Sequence, residues 1–314
     1  MKKKAKYRIR NWRDYNRSLV NRGSLTFWIA EDLLANWIEK EKSGGRGASP
    51  RYTQAAMLAM ASLKFVFSQA GRQTCGLVAS IFRLLKVELS VPDHSTVSRR
   101  MAGLEVGLPV KASEKARHLV IDSTGLKVYG EGEWKVRTHG VSKRRTWRKL
   151  HLCIDAETGE VIVAGASENS VSDCQMFPEI LRAVAEEIEQ ISADGSYDRR
   201  KVYEALNQRA IKRAAIPPRR GAKIWQHGNS RKERLIRDEN LRAVRKKGRA
   251  KWKREANYHR RSLAETGVFR FKTIFTDKLQ SRNQENQFQE MIIKCAALNR
   301  MTHLGMPDSY KVAA

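Results

Sequence analysis

RHLVIDSTGLKVYG, residues 117–130, reads as a β-strand in which β-branched residues surround a carboxylate, Asp122. A carboxylate in a buried strand is costly unless it is paired or metal-bound. Downstream, Leu150–Asp155 and Glu160–Ala166 read as two more strands, joined by a turn at Glu157, Thr158 and Gly159. Ser172 to Gln190 reads as a helix with Met176, Ile180, Leu181, Val184 and Ile188 as its apolar stripe and Ser172 or Asp173 as its cap. A short strand, Ile191–Asp194, ends at Asp194-Gly195. Asp198 is expected to cap a helix running to Asn207, and Ala214–Pro218 to form a last short strand. Strands and helices in mixed order indicate an α/β domain with a mixed sheet flanked by helices.

Upstream of residue 113 the pattern is helical. Ser24–Lys42 predicts one helix, with Leu25, Trp28, Ile29, Leu33 and Trp37 as its stripe. SGGRGASP (43–50) reads as a linker, and residues 53–70 and 73–85 as two further helices. VPDHSTVSRRMAGL then offers a fourth, with Asp93 or Ser95 near its start and Arg99 and Arg100 following. A short polar helix start after a helix and turn suits a helix-turn-helix reading element; a small bundle without groove contact is the alternative. Residues 2–22 carry nine Lys or Arg against the single acid Asp14, with Trp12 and Tyr15 interleaved. This stretch reads as an arm along DNA or, for Lys2 to Lys6, as a disordered basic tail. The organisation expected is an all-α DNA-binding region over 1–112 and an α/β domain over 113–310 with a basic insertion at 219–257.

The totals agree. The 314 residues carry 61 Lys or Arg against 33 Asp or Glu, a net charge of +28. A small-molecule enzyme needs no such excess; a polyanionic partner does, and nucleic acid leads. No apolar run is long enough to span a bilayer, and the basic start MKKKAKYRIRNW has no apolar stretch behind it. The four cysteines are scattered, with no CxxC pair, which fits a reducing setting without a zinc ribbon. Residues 219–254 hold fifteen Lys or Arg against Glu233, Asp238 and Glu239. A second basic run, Lys135, Arg137, Lys143, Arg144, Arg145, Arg148 and Lys149, lies between the first two strands.

In YHRRSLAETGVFRFK (258–272), Tyr258, Arg261, Glu265 and Lys272 stand at offsets of 0, 3, 7 and 14. On an α-helix they fall within roughly 60° of one another. Such a stripe suits a surface that holds a metal with the carboxylate and phosphates with the cations; an exposed, salt-bridged helix is the bland alternative. Gly267, inside this helix, permits a close approach of DNA or marks a bend. Gln284–Leu304 reads as a final helix. Asp122, Asp194 and Glu265 therefore stand out as three acids whose mutual repulsion divalent magnesium would relieve. Asp155, Asp173 and Asp198 read as turn and cap residues. No GxxxxGK[ST] is present, so no nucleotide cofactor is expected.

At this point the chain resembles the bacterial insertion-sequence transposases of the DDE class, and more narrowly the insertion-sequence-five family. The resemblance rests on VIDSTGLKVYG, SADGSYDRRKVYEAL, IPPRRGAKIW, YHRRSLAETGVFRFK, the tail AALNRMTHLGMP and the N-terminal NWRDYNRSLVNRGSLTFWI. It implies an RNase H-like catalytic domain with Asp122, Asp194 and Glu265 as catalytic and metal-binding residues. It also implies two magnesium ions, with manganese able to substitute. The implied activity is binding of terminal inverted repeats, hydrolysis at the element ends and joining of the freed 3′-hydroxyl to target DNA. Arg261 and Lys272 would grip phosphates, Tyr258 would orient the helix or touch DNA, and Trp225 would stack on a displaced base. Arg144, Arg145, Arg148, Lys149, Arg99 and Arg100 are the other expected DNA contacts. Partners are double-stranded DNA and a second copy in a synaptic complex, in the bacterial cytoplasm at the nucleoid. A general RNase H-like nuclease and a non-catalytic binder descended from a transposase share parts of this pattern.

Overall fold

The protein is described from a computed structural model, which covers residues 6–41, 44, 47, 49–128, 147–226 and 234–312. The chain divides into two compact units, Met1–Pro109 with Ala296–Ala314, and Val110–Cys295.

The first unit is mainly helical: α1 (Trp12–Asn21), α2 (Leu25–Trp28), α3 (Glu31–Ala35), α4 (Gln54–Val66), α5 (Gly71–Leu84) and α6 (His94–Met101). Thr53 caps α4 through its side chain, which accepts from the Ala56 amide, and Asp93 caps α6 by accepting from Ser95 N at 2.8 Å. Met57, Met60, Leu63 and Phe65 of α4 form the buried centre. The single helix expected over Ser24–Lys42 is two short ones. Ala30 is extended between them, and Trp37 leaves the helix to be fully buried against Phe82, its indole N–H donating to Ser90 O at 2.9 Å. A feature of long sequence separation was missed altogether. Strand β1 (Lys6–Ile9) pairs antiparallel with β8 (Ser309–Val312), so part of the expected basic arm is a strand. Lys2 to Ala5 lie outside the described residues.

The second unit is built on a six-stranded mixed sheet ordered β4-β3-β2-β5-β6, with β7 also pairing β2. Strands β2 (Arg117–Val128), β3 (Trp147–Asp155) and β4 (Val161–Glu168) form an antiparallel meander. β5 (Ile188–Ala193), β6 (Ala214–Ala215) and β7 (Lys278–Leu279) run parallel to the neighbours they pair with. One face of the sheet, with Leu119, Ile121, Cys153 and Ile191, packs on α7 (Asp173–Ala183) and α8 (Arg200–Gln208) through Phe177, Ile180, Leu181, Val202 and Leu206. Alternation puts Val120, Asp122 and Ile154 on the other face, where α11 (Ser262–Phe275) lies over β2 and β3. α9 (Ile236–Lys247) and α10 (Arg249–Glu255) precede it, and α12 (Gln284–Leu304) follows. A mixed sheet of this kind between helices fits an RNase H-like domain.

Two expectations here need correction. The helix expected to reach Gln190 stops at Ala183: Val184 is extended, and Ile188 joins the sheet beside Arg117. A continuous apolar spacing hid the change from helix to strand. Asp198 does not cap α8, whose preceding residue is Arg199. It is buried instead, accepting from Arg219 N at 2.9 Å and from Arg237 Nε at 2.9 Å.

Candidate active site

Asp122 and Asp194 are brought together by strand register. Ile121 pairs with Ala193 across parallel β2 and β5, and each acid is the next residue along the chain, Asp122 within β2 and Asp194 just past the end of β5. Neighbouring strands stand about 4.8 Å apart, so Asp122, midway along β2, lies beside the point where β5 ends and Asp194 follows, close enough for the charge of Asp194 to act on it. Asp194 opens a single 3₁₀ turn, Gly195–Tyr197, and accepts the Ser196 amide at 2.8 Å. Asp122 accepts the amide of Ser123 at 2.9 Å.

Glu265 is linked to Asp122 through a cation. Arg261 lies with one nitrogen 3.5 Å from Asp122 Oδ2 and donates with another to Glu265 Oε1. The Arg261 side chain is 18% exposed and that of Asp122 21% exposed, so this bridge is partly shielded from water. Burial pushes the Asp122 carboxyl above its ordinary value; the Ser123 amide and Arg261 oppose that, and the charges of Asp194 and Asp173 add to it.

The helical stripe is present only in part. Tyr258 and Arg261 belong to a 3₁₀ turn, Tyr258–Arg261, and the α-helix begins at Ser262. Asn257 precedes that turn in the left-handed region, with φ 50°. Arg261 and Glu265 still meet, because one helical turn separates them. Tyr258 is half-buried at the same site: burial raises its phenol, on which the charges of Arg261, Asp194 and Asp122 all act. Trp252 packs against its ring at 6.1 Å. Lys272 acts on a different acid, Asp277, whose carboxyl is held below its ordinary value chiefly by Lys127 at 3.0 Å, with the charge of Lys272 adding a smaller part.

Gly267 has a structural reason other than those expected. A Cβ there would stand 2.2 Å from Ile154 Cδ1, so the missing side chain lets α11 sit down on β3.

The other expected contacts fall as follows. Arg144 and Arg145, like Lys135, Arg137 and Lys143, lie outside the described residues. Arg148 donates to Gln287 Oε1 at 2.9 Å. Lys149 is turned inward, donating to Val171 O at 2.8 Å and standing 3.3 Å from Asp173. Trp225 is half-buried, with the guanidinium of Arg237 3.9 Å and that of Arg200 5.2 Å from its ring centre, and Tyr203 edge-on at 5.7 Å. Arg99 is exposed on α6, while Arg100 donates to Tyr52 O. Asp173, read from sequence as a cap or turn residue, is close enough to act electrostatically on both Asp122 and Tyr197. Only the three-dimensional course of α7 places it there.

Two family models match the chain, each described as a transposase DDE domain, one over residues 20–131 and the other over residues 113–300. The chain belongs to the DDE transposases. The family moves DNA by cleavage and strand transfer, generally with divalent metal, so the substrate of this transposase is DNA. Among the described residues, no three His, Cys, Asp or Glu side chains stand close enough together to hold a metal ion. In this arrangement a guanidinium spans Asp122 and Glu265, and a cation is thus already the partner of both. Carboxylate oxygens are of the hard kind that a divalent metal selects. Among the described residues, no helix is long and apolar enough to cross a membrane.

Proposed function

We propose that this transposase is of the insertion-sequence-five type, with Asp122, Asp194 and Glu265 as its catalytic and metal-holding acids. The supporting observation is the pairing of Ile121 with Ala193, which sets the two aspartates side by side, together with the Arg261 bridge from Asp122 to Glu265. When bound, two magnesium ions supply Lewis-acid stabilisation to the attacking and leaving oxygens of the phosphodiester; manganese serves in their place.

The chain's own residues hold and aim the DNA. Without DNA, Arg261 offsets the charges of Asp122 and Glu265. With DNA, it turns to a phosphate oxygen, where its planar donors bind two oxygens at once. Tyr258, packed on Trp252, keeps the turn before α11 in place and so fixes where Arg261 starts. Lys272 and Arg148 contribute further positive charge along the DNA, as do Arg144 and Arg145. The N-terminal helices read the terminal inverted repeats, with the exposed Arg99 of α6 facing the groove. Two copies pair the two ends in the cytoplasm, at the nucleoid.

The test is magnesium-dependent cleavage of a duplex carrying the inverted repeats that flank this gene, with wild type beside Glu265→Gln. Nicking at the repeat boundary, lost in the variant, is the expected result. Cutting that ignores the repeats would point to a general nuclease. Binding without cutting in both proteins would point to a binder that has lost catalysis.

A further inference from the structure

Arginines from two separate segments meet beside Asp194. Arg199 and Arg200 stand at the start of α8, and Arg219 and Arg220 follow the Pro217-Pro218 stretch after β6. Together they line a cavity of about 490 Å³ that also includes Trp225 and the buried Arg237. All four of these arginines are exposed. The acid that lines the cavity is already engaged. Asp198 is 5% exposed, and its two oxygens take Arg219 N and Arg237 Nε. Arg199 and Arg220 make no ion pair or side-chain hydrogen bond with a described residue. Net positive charge in a concavity, with free guanidinium donors from two sides, selects a phosphate.

The position narrows the ligand. Arg219 Nη2 donates to Ser196 O at 3.3 Å, inside the 3₁₀ turn that Asp194 opens. The cavity is therefore tied to the segment that carries a proposed catalytic acid. We propose that it holds a phosphate of the DNA strand adjoining the bond that is cut. This rests on the assignment of Asp194 to the cleavage site. Such a phosphate has two sources. One is an internal diester of the flanking DNA. The other is the end left by hydrolysis, in which water bonds to phosphorus and the bond to the 3′ oxygen breaks. The products are a 3′-hydroxyl, a 5′-phosphate monoester and one proton.

The experiment compares wild type with an Arg199→Ala/Arg220→Ala variant, both positions being exposed. Binding of repeat-end duplexes is measured by fluorescence anisotropy across a salt series. The variant is expected to lose about one unit of salt slope per phosphate contact removed. Single methylphosphonate linkages near the cut, and 5′-phosphate against 5′-hydroxyl ends, then locate the phosphate. A neutral linkage that weakens wild type at least fivefold, with no further effect in the variant, identifies an internal diester. The same pattern at the 5′-end identifies the hydrolysis product. If every linkage and end group acts equally on both proteins, the proposal is overturned. Inorganic pyrophosphate, titrated calorimetrically into the DNA-free protein, separates the two readings. Pyrophosphate binding lost in the variant, in a protein whose wild type ignores repeat DNA, would overturn the DNA assignment while leaving an anion pocket.

Discussion

Replacing Gly267 by Ala tests how the helix that carries Glu265 is held against the sheet. The new Cβ would lie 2.2 Å from Ile154 Cδ1, more than about 1 Å inside ordinary carbon–carbon contact. Ile154 is 1% exposed, so its side chain has little room to yield. The substitution improves helix propensity by about 1 kcal/mol. Overpacking costs about 1–3 kcal/mol. The net loss of stability is therefore small, at most about 2 kcal/mol. The loss of activity is larger, because relief of the clash lifts α11 and moves Glu265 away from Asp122; a displacement of about 1 Å at a reacting centre costs on the order of 100-fold. Ile154→Val removes the very atom that clashes, at about 0.5–1.5 kcal/mol by itself. The double variant should then be more stable than the sum of the singles by about 1 kcal/mol and recover most of the cleavage rate. Urea unfolding gives the stabilities, and strand cleavage of a repeat-end duplex gives the rates. Additive stabilities, or a Gly267→Ala protein that cleaves like wild type, would refute the reasoning.

Asp122→Asn should abolish cleavage while leaving repeat binding within a few-fold of wild type; a variant that cuts normally would end the triad assignment. Burial holds the imidazoles of His118 and His151 down at about 4, against 6.5 for the free side chain. Both are neutral in the fold, bonded to Ser192 and Ser167, and the unfolded chain takes up their protons first. Their contribution is present above pH 6.5 and lost as pH falls toward 4, by about 2 kcal/mol each between pH 7 and pH 5. A urea midpoint unchanged over that interval would contradict this. Lys294 and Glu290 form a buried pair at 2.6 Å, with Glu290 also accepting from Gln280 N and Ser281 N. Lys294→Met leaves that carboxylate buried without its cation and should cost about 3–5 kcal/mol in urea unfolding; a loss under about 1 kcal/mol would show that the carboxylate finds other compensation.

Much of this protein was legible in the order of its residues. β2, β3 and β4, the helices α4 to α6 and a polar start of α6 at Asp93 or Ser95 follow from periodicity and from side chains that bond backbone a few residues away. The need for a polyanionic partner follows from charge alone. So does the suspicion attached to Asp122, since a carboxylate within a strand demands compensation wherever the strand lies. Tertiary structure decided the rest, because the interactions concerned join residues far apart in the chain. Nothing local at Ile188 says that it will leave a helical pattern to pair with Arg117, or at Lys6 that its partner is Val312. Asp173 and Asp198 look alike as turn residues; packing sets one beside Lys149 near the site and buries the other against Arg237. The close seat of α11 on Ile154 and the meeting of Arg199 with Arg220 have the same origin. A residue's own type states what it must satisfy, and only the folded chain supplies the partner that satisfies it.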